Sequence, residues 1–189
     1  MSLAPALLFL SLTGTAHPDT VCVNQRPQQM PAEGRQSPLD SLTFHVGKSP
    51  VKVCYGRPSL RGRAMLGTEH VPYGKLWRTG ANEPTIFYTP VALQVAGIRV
   101  PPGVYSLYTV PGKTEWEVIV NRSISQWGHE SRYTDSVKAQ EVGRGKAPAQ
   151  AIAEPIETFT IRAEPAGGGA ASLILEWEKT RVRIPVKAG

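Results

Sequence analysis

The sequence predicts an all-β protein, a single antiparallel β-sandwich (jelly-roll-like or Ig-like) of about ten short strands with little helix. Three observations predict it. Apolar residues alternate with polar ones in segment after segment, which is the period of a strand with one buried and one wet face. The 18 Gly and 17 Pro among 189 residues punctuate the chain at short intervals, favouring turns over long helices. Hydrophobic residues make up 41% and charged residues 19%, so a domain of roughly 150 residues can bury a core without metal or disulfide staples.

The chain opens on Leu3 to Leu12 (LAPALLFLSL), an apolar run of leader length, with Gly14 and Ala16 following at signal-peptidase spacing. Residues 1–16 therefore read as a secretory signal, although no Lys or Arg precedes the run. Residues 17–41 read as an extended N-terminal segment rich in Pro and Gln. Val21 ahead of Cys22 is too large for a lipid-anchored cysteine. Cys22 and Cys54 are enough for one disulfide in an exported chain, closing a loop of about thirty residues and stabilising by ~3–4 kcal/mol. Two thiols are the alternative. No stretch approaches the roughly 20 apolar residues of a membrane span, so the protein is expected in the periplasm or outside the cell.

Alternation begins at residue 42, and residues 42–187 read as the folded domain. Leu42–Val46 alternates and stops at Gly47; Val51–Tyr55 alternates and stops at Gly56. Thr85–Thr89, Leu93–Val95 and Ile98–Val100 follow, the last two flanking Ala96-Gly97, a two-residue hairpin signal. Val104–Val110 lies between the Pro101-Pro102-Gly103 and Pro111-Gly112-Lys113 turns. Trp116, Val118 and Val120 mark one face of the next strand. Val137–Val142 fits a strand or a short helix, and Ala147–Pro155 is weak in every signal. Phe159 and Ile161 define a strand, Ala166 to Ala170 is a glycine-rich turn, and 173–177 and 182–186 alternate on either side of Glu178-Lys179-Thr180. Trp116 and Trp177 fall in the apolar register, so both are expected in the core.

Two irregular stretches interrupt this pattern, Gly56 to Pro84 and residues 122–136. A loop longer than about 15 residues in a compact domain is usually functional or hides structure of its own. Residues 51–80, which overlap the first, hold nearly all the excess charge. Lys52, Arg57, Arg61, Arg63, Lys75 and Arg78 face Glu69 alone across residues 51–80, while the whole chain is only +6. Such a concentration suits a concave site for a carboxylate, phosphate or acidic glycan. It also suits arginines that tie the loop down through backbone carbonyls. Aromatic and basic residues do not interleave as nucleic-acid readers require, so no nucleic acid is expected. Met65, Leu66, Leu76 and Trp77 must pack, and the neighbouring arginines then need acceptors such as Asn82 and Glu83.

Other chemistries find little footing. There is no Gly-x-Ser-x-Gly elbow, and Cys54 lies within a strand. Arginines beside Glu83 suit an ion pair more than a general acid, although a base role is conceivable, with Glu69 as a second carboxylate. The four histidines, His17, His45, His70 and His129, lack the spacings of a metal site, and the adjacent pairs Glu69-His70 and His129-Glu130 cannot easily face one ion. No metal and no cofactor is expected. A Lys52–Asn82 isopeptide with Glu83 beside it is a minor option, and Trp127 is the one tryptophan kept as a possible sugar contact.

The runs YGRPSLRGRAMLG, VPYGKLWRTGANEPT, PPGVYSLYTVP, EWEVIVNRSISQWG and LEWEKTRVRIPV together resemble a bacterial family known as domain of unknown function 2911. The match covers about residues 37–187, and WRTGANE, Trp77 to Glu83, is its most specific piece. The resemblance implies a compact, mostly β domain of exported proteins and implies no activity. Arg57, Arg63, Arg78, Asn82 and Glu83 match polar positions of the family pattern and are the candidate ligand-binding residues; Arg61 sits at a variable point. The function expected from these readings is a binding module for an anionic small molecule or cell-envelope glycan at the arginine-rich loop. The alternatives are a hydrolase or lyase using Glu83 as base, and a structural or protein-interaction domain without a ligand.

Overall fold

The computed structural model describes Cys22, Pro31 and residues 33–189. The leader read into residues 1–16 and most of the extended segment lie outside these. Among the described residues nine strands run β1 (Leu39–Val46), β2 (Ser49–Gly56), β3 (Thr85–Thr89), β4 (Leu93–Val95), β5 (Ile98–Val100), β6 (Gly103–Val110), β7 (Glu115–Asn121), β8 (Glu141–Pro165) and β9 (Ala171–Ala188). The helical elements among the described residues are a 3-10 turn at Glu130–Arg132 and a single turn of α-helix, α1 (Asp135–Lys138). The protein is thus all-β with little helix, as the alternation predicts. All strands belong to one antiparallel sheet, in the order β1-β2-β3-β6-β7-β8-β9-β4-β5; packing of that sheet into two layers as a sandwich stays an expectation.

The connections force this sheet to curl. β3 and β4 are joined by residues 90–92 alone, yet they stand five places apart in the strand order. Five strand spacings come to about 24 Å on a flat sheet, whereas the link from Thr89 to Leu93 can span at most ~14 Å. The sheet therefore folds over until β4 lies near β3. A bridge between Ser59, just past β2, and Thr158 of β8 ties the two sides together. The concave face holds the core, including Val51, Val53, Phe87, Leu107, Val118, Leu173 and Ile184.

Local signals explain most elements. Val95 and Ile98 close the β4–β5 hairpin with Ala96 at φ 49° and Gly97 at φ 81°, the two positive angles that a tight hairpin turn wants. β1 begins at Leu39, three residues ahead of its clear alternation, because Leu39 pairs with Gly56. Residues 135–142 turn out to hold both readings: α1, with Val137 buried, and then the start of β8.

Two strands are longer than their sequence suggests. The weak stretch 147–155 lies inside β8, which pairs with β7 up to Pro148 and with β9 from Ala149 onward. Pro155 falls within a register shift between Ala151 and Ile156, where a residue without an N–H is tolerated. Likewise Glu178-Lys179-Thr180 is not a connection between strands. β9 runs through it, bending at Glu178 with φ 51°. These mergers bring the count to nine.

Candidate functional site

The long irregular segment 57–84 is held to the sheet from several sides. Trp77 enters the core, stacked on Trp177 at 5.7 Å and edge-on to Phe159 at 5.0 Å and Trp116 at 5.9 Å. Its backbone exchanges hydrogen bonds with Thr109 at 2.7 and 2.9 Å. The Glu178 carboxylate, thrown outward by the β9 bend, accepts from the backbone N–H groups of Met65 and Leu66. Glu157 of β8 accepts from the Arg61 N–H at 2.8 Å. A buried aromatic thus fixes the middle of the segment, and carboxylates satisfy backbone donors that no strand pairs.

The turn after Trp77 is tightly confined. Thr79 is fully buried at φ 58°, a left-handed conformation that a β-branched residue adopts only when its surroundings impose it. Its hydroxyl bonds Thr109 at 3.0 Å, and its carbonyl accepts from the Thr85 hydroxyl at 2.7 Å. Backbone presses on the turn from both sides. A Cβ on Gly56 would stand 2.1 Å from the Ala81 oxygen, and a Cβ on Gly128 2.4 Å from the Asn82 oxygen. Glycine at these two positions lets three backbone segments meet.

Gly128 belongs to the second irregular stretch, so the two meet here. That stretch lies over the outer face of β6 and β7. Gln126 donates to the Tyr108 hydroxyl at 3.1 Å, Asn121 donates to the Val137 carbonyl at 2.7 Å, and the Tyr108 and Tyr133 rings meet edge-on at 4.7 Å. His129 caps the 3-10 turn by accepting from Ser131 N–H at 3.2 Å. Burial pushes the Tyr108 phenol up to about 12, with the Gln126 hydrogen bond pulling the other way.

Between the two segments lies a cleft of 420 Å³. Glu69, His70, Lys75 and Arg78 line it from one side, His129 and Glu130 from the other, with Val71, Pro72, Leu76 and Trp77 adding apolar surface. Arg78 meets Glu130 side-on, Nε to Oε1 at 3.2 Å and Nη2 to Oε2 at 3.1 Å, and its backbone N–H reaches the same carboxylate at 3.3 Å. The pair stays 20% and 31% exposed. Arg78 Nη1 makes no hydrogen bond among the described residues. The two Glu–His pairs set aside in the sequence as unable to share an ion come to one cleft, but no three His, Cys, Asp or Glu side chains among the described residues group as metal ligands.

The candidate residues do not converge. Arg57 pairs with Asp40 at 3.1 Å and donates to Thr160 Oγ1 at 3.0 Å and to the Phe159 carbonyl at 3.4 Å. Arg63 donates to the carbonyls of Leu60 and Ser59 at 3.0 and 3.3 Å, within its own loop. Arg61 reaches the Gln36 carbonyl. Asn82, at φ 68°, donates to the Ser37 carbonyl at 3.2 Å. Glu83 takes Arg35, an arginine outside the loop, in a bidentate pair at 2.9 and 3.0 Å. Of the five, Arg78 alone lines the cleft; Asn82 and Glu83 instead hold the segment before β1. Cys22 and Cys54 form a disulfide with Cα atoms 5.4 Å apart, tying that segment to β2 as well. Trp127 is half-buried and has a partner.

Lys75, His70, His129 and Glu130 were not singled out as a site by sequence. The one signal for them was that each irregular stretch carries an adjacent Glu and His. A family model described as "Protein of unknown function (DUF2911)" matches residues 37–186. No curated protein matches the chain, and no solved structure does.

Proposed function

The chain belongs to the DUF2911 family, proteins of unknown function, and from that premise we propose that it is an exported binding module for a small anionic molecule, held at Arg78. The observation that carries this reading is the cleft itself. Two irregular segments, each anchored by buried groups, meet around a guanidinium that keeps one nitrogen uncommitted. Arginine is the side chain whose planar fork best matches carboxylate and phosphate oxygens. Lys75 adds a second cation, and Val71, Pro72 and Leu76 offer apolar surface to the body of a ligand. An acidic glycan of the cell envelope has the same anionic chemistry. The disulfide suits an oxidising compartment, and no helix among the described residues is long and apolar enough to cross a membrane.

The other readings have less support. A general base needs a lone pair facing its substrate, whereas Glu83 commits both oxygens to Arg35 and is 4% exposed. The ligand-free structural domain is favoured by one observation, that Arg57 and Arg63 spend their donors within the protein, Arg57 on Asp40, Thr160 and the Phe159 carbonyl and Arg63 on the carbonyls of its own loop.

Native mass spectrometry of the protein purified without denaturation tests the proposal. Mass beyond the bare chain is expected, lost on denaturation and lost in Arg78→Ala while the variant keeps its near-ultraviolet circular dichroism. A bare mass in the wild type, with no anion retained, would turn the reading to the structural domain.

A further inference from the structure

We infer that the cleft takes a carboxylate and that Glu130 is an internal stand-in for it, occupying Arg78 until the ligand displaces it. This rests on the cleft being the anion site. Arg78–Glu130 is one of several bidentate Arg–Glu pairs among the described residues, and it differs in character from the buried Arg35–Glu83 pair. Arg35–Glu83 is short, at 2.9 and 3.0 Å, with side chains 1% and 4% exposed. Arg78–Glu130 is longer, at 3.1 to 3.3 Å, with side chains 20% and 31% exposed. A buried pair cannot exchange one partner without stranding the other in a low dielectric. A pair in contact with water can, because either charge is resolvated when it parts.

The element carrying Glu130 is also built to yield. Glu130 opens a 3-10 turn of three residues, none of them buried. Two backbone hydrogen bonds, Arg132 to His129 and Tyr133 to Glu130, and one side-chain cap between His129 and Ser131 hold that turn. Releasing Glu130 therefore removes no apolar contact from the core. In place, its carboxylate satisfies Nε, Nη2 and the backbone N–H of Arg78 together. A planar ligand carboxylate on the same edge inherits the same three donors, while Nη1, on the far side of the fork, stays open to solvent. Its body then lies along Val71, Pro72 and Leu76, which line the same cleft.

Benzoate, a carboxylate with an apolar body, and inorganic phosphate are the probes. Each is titrated into the full chain by amide NMR, in the wild type, Glu130→Gln, Glu130→Asp and Arg78→Ala. Glu130→Gln is expected to bind benzoate about fivefold tighter than wild type, because the competing pair is gone. Glu130→Asp should fall between them, which keeps the test open if the glutamine variant folds poorly, and Arg78→Ala should not bind. Equal benzoate affinity in wild type and both Glu130 variants overturns the stand-in role and leaves the anion cleft standing. Binding of phosphate but not benzoate overturns the carboxylate assignment. Binding of neither by any form overturns this inference and the proposed function together.

Discussion

Arg35 and Glu83 lie 48 residues apart in sequence and meet as a bidentate pair, with 1% and 4% of their side chains exposed. The pair joins the segment before β1 to the turn that carries Arg78. Removing one partner strands the other charge in the interior. Arg35→Met and Glu83→Leu should therefore each cost ~3–5 kcal/mol, and the double substitution should recover a large part of that loss. Urea unfolding of the three variants measures it. Additive losses in the double variant would mean that the two charges are not coupled.

Gly128 is the point where the second irregular stretch touches the first. Gly128→Ala places a methyl group 2.4 Å from the Asn82 oxygen and 2.6 Å from the Glu83 carbonyl carbon. Both are backbone atoms and cannot rotate aside, so the cost should be about 1–3 kcal/mol, as for overpacking elsewhere. Thermal melting reads the cost, and amide shifts at Arg78 and Asn82 should locate it. A wild-type melting temperature with unchanged shifts would show that the two segments can part freely.

The Cys22–Cys54 bond spans 32 residues of sequence. Cys22→Ser should lower stability by up to ~3–4 kcal/mol through the freedom it returns to the unfolded chain. Reductant should then shift the urea midpoint of the wild type and leave that of the variant unmoved. A reductant-sensitive midpoint in Cys22→Ser would place the effect elsewhere.

Three carboxylates on the sheet, of which Glu176 is buried, predict acid sensitivity. The Arg144 hydrogen bond holds Glu141 below the usual carboxylate range, that of Arg162 does the same for Glu176, and Arg162 with Arg183 brings Glu164 down to about 2. A carboxylate depressed in the folded state stabilises it above the unfolded value and loses that contribution as pH falls through the folded one. Stability should therefore be level near neutrality and decline from about pH 4.5 towards pH 2. Arg162→Gln removes the leading hydrogen bond from both Glu164 and Glu176, leaving Arg183 on the one and Arg181 on the other, so its decline should be shallower, starting from a lower plateau. Melting temperatures across that range test it, and parallel curves for variant and wild type would count against the assignment.

Much of the fold was legible in the chain because alternation is a local property. Trp116 and Trp177 sat in the apolar register and are buried, and Ala96-Gly97 made the hairpin its two small residues suggested. β8 was hidden for an equally local reason. Its middle, rich in Gly, Ala and Pro, has few side chains to bury, and it is a strand because β7 and β9 pair with its backbone in turn. Glu178 looked like part of a turn because polar residues interrupt the alternation there, whereas β9 bends through it without stopping.

The site divides along the same line. The sequence by itself determined the residue types available: an arginine-rich irregular segment, a second irregular segment, two cysteines and a Trp77 that had to be buried. Only the tertiary structure decided who meets whom. It gave Glu83 to Arg35, Arg57 to Asp40, Arg63 to its own loop carbonyls and Arg78 to Glu130, 52 residues away. Charge composition is summed along the chain, but an ion pair is made across space. Which acceptor reaches which guanidinium depends on the curl of the sheet and on the backbone contacts at Gly56 and Gly128, where segments distant in sequence are pressed together.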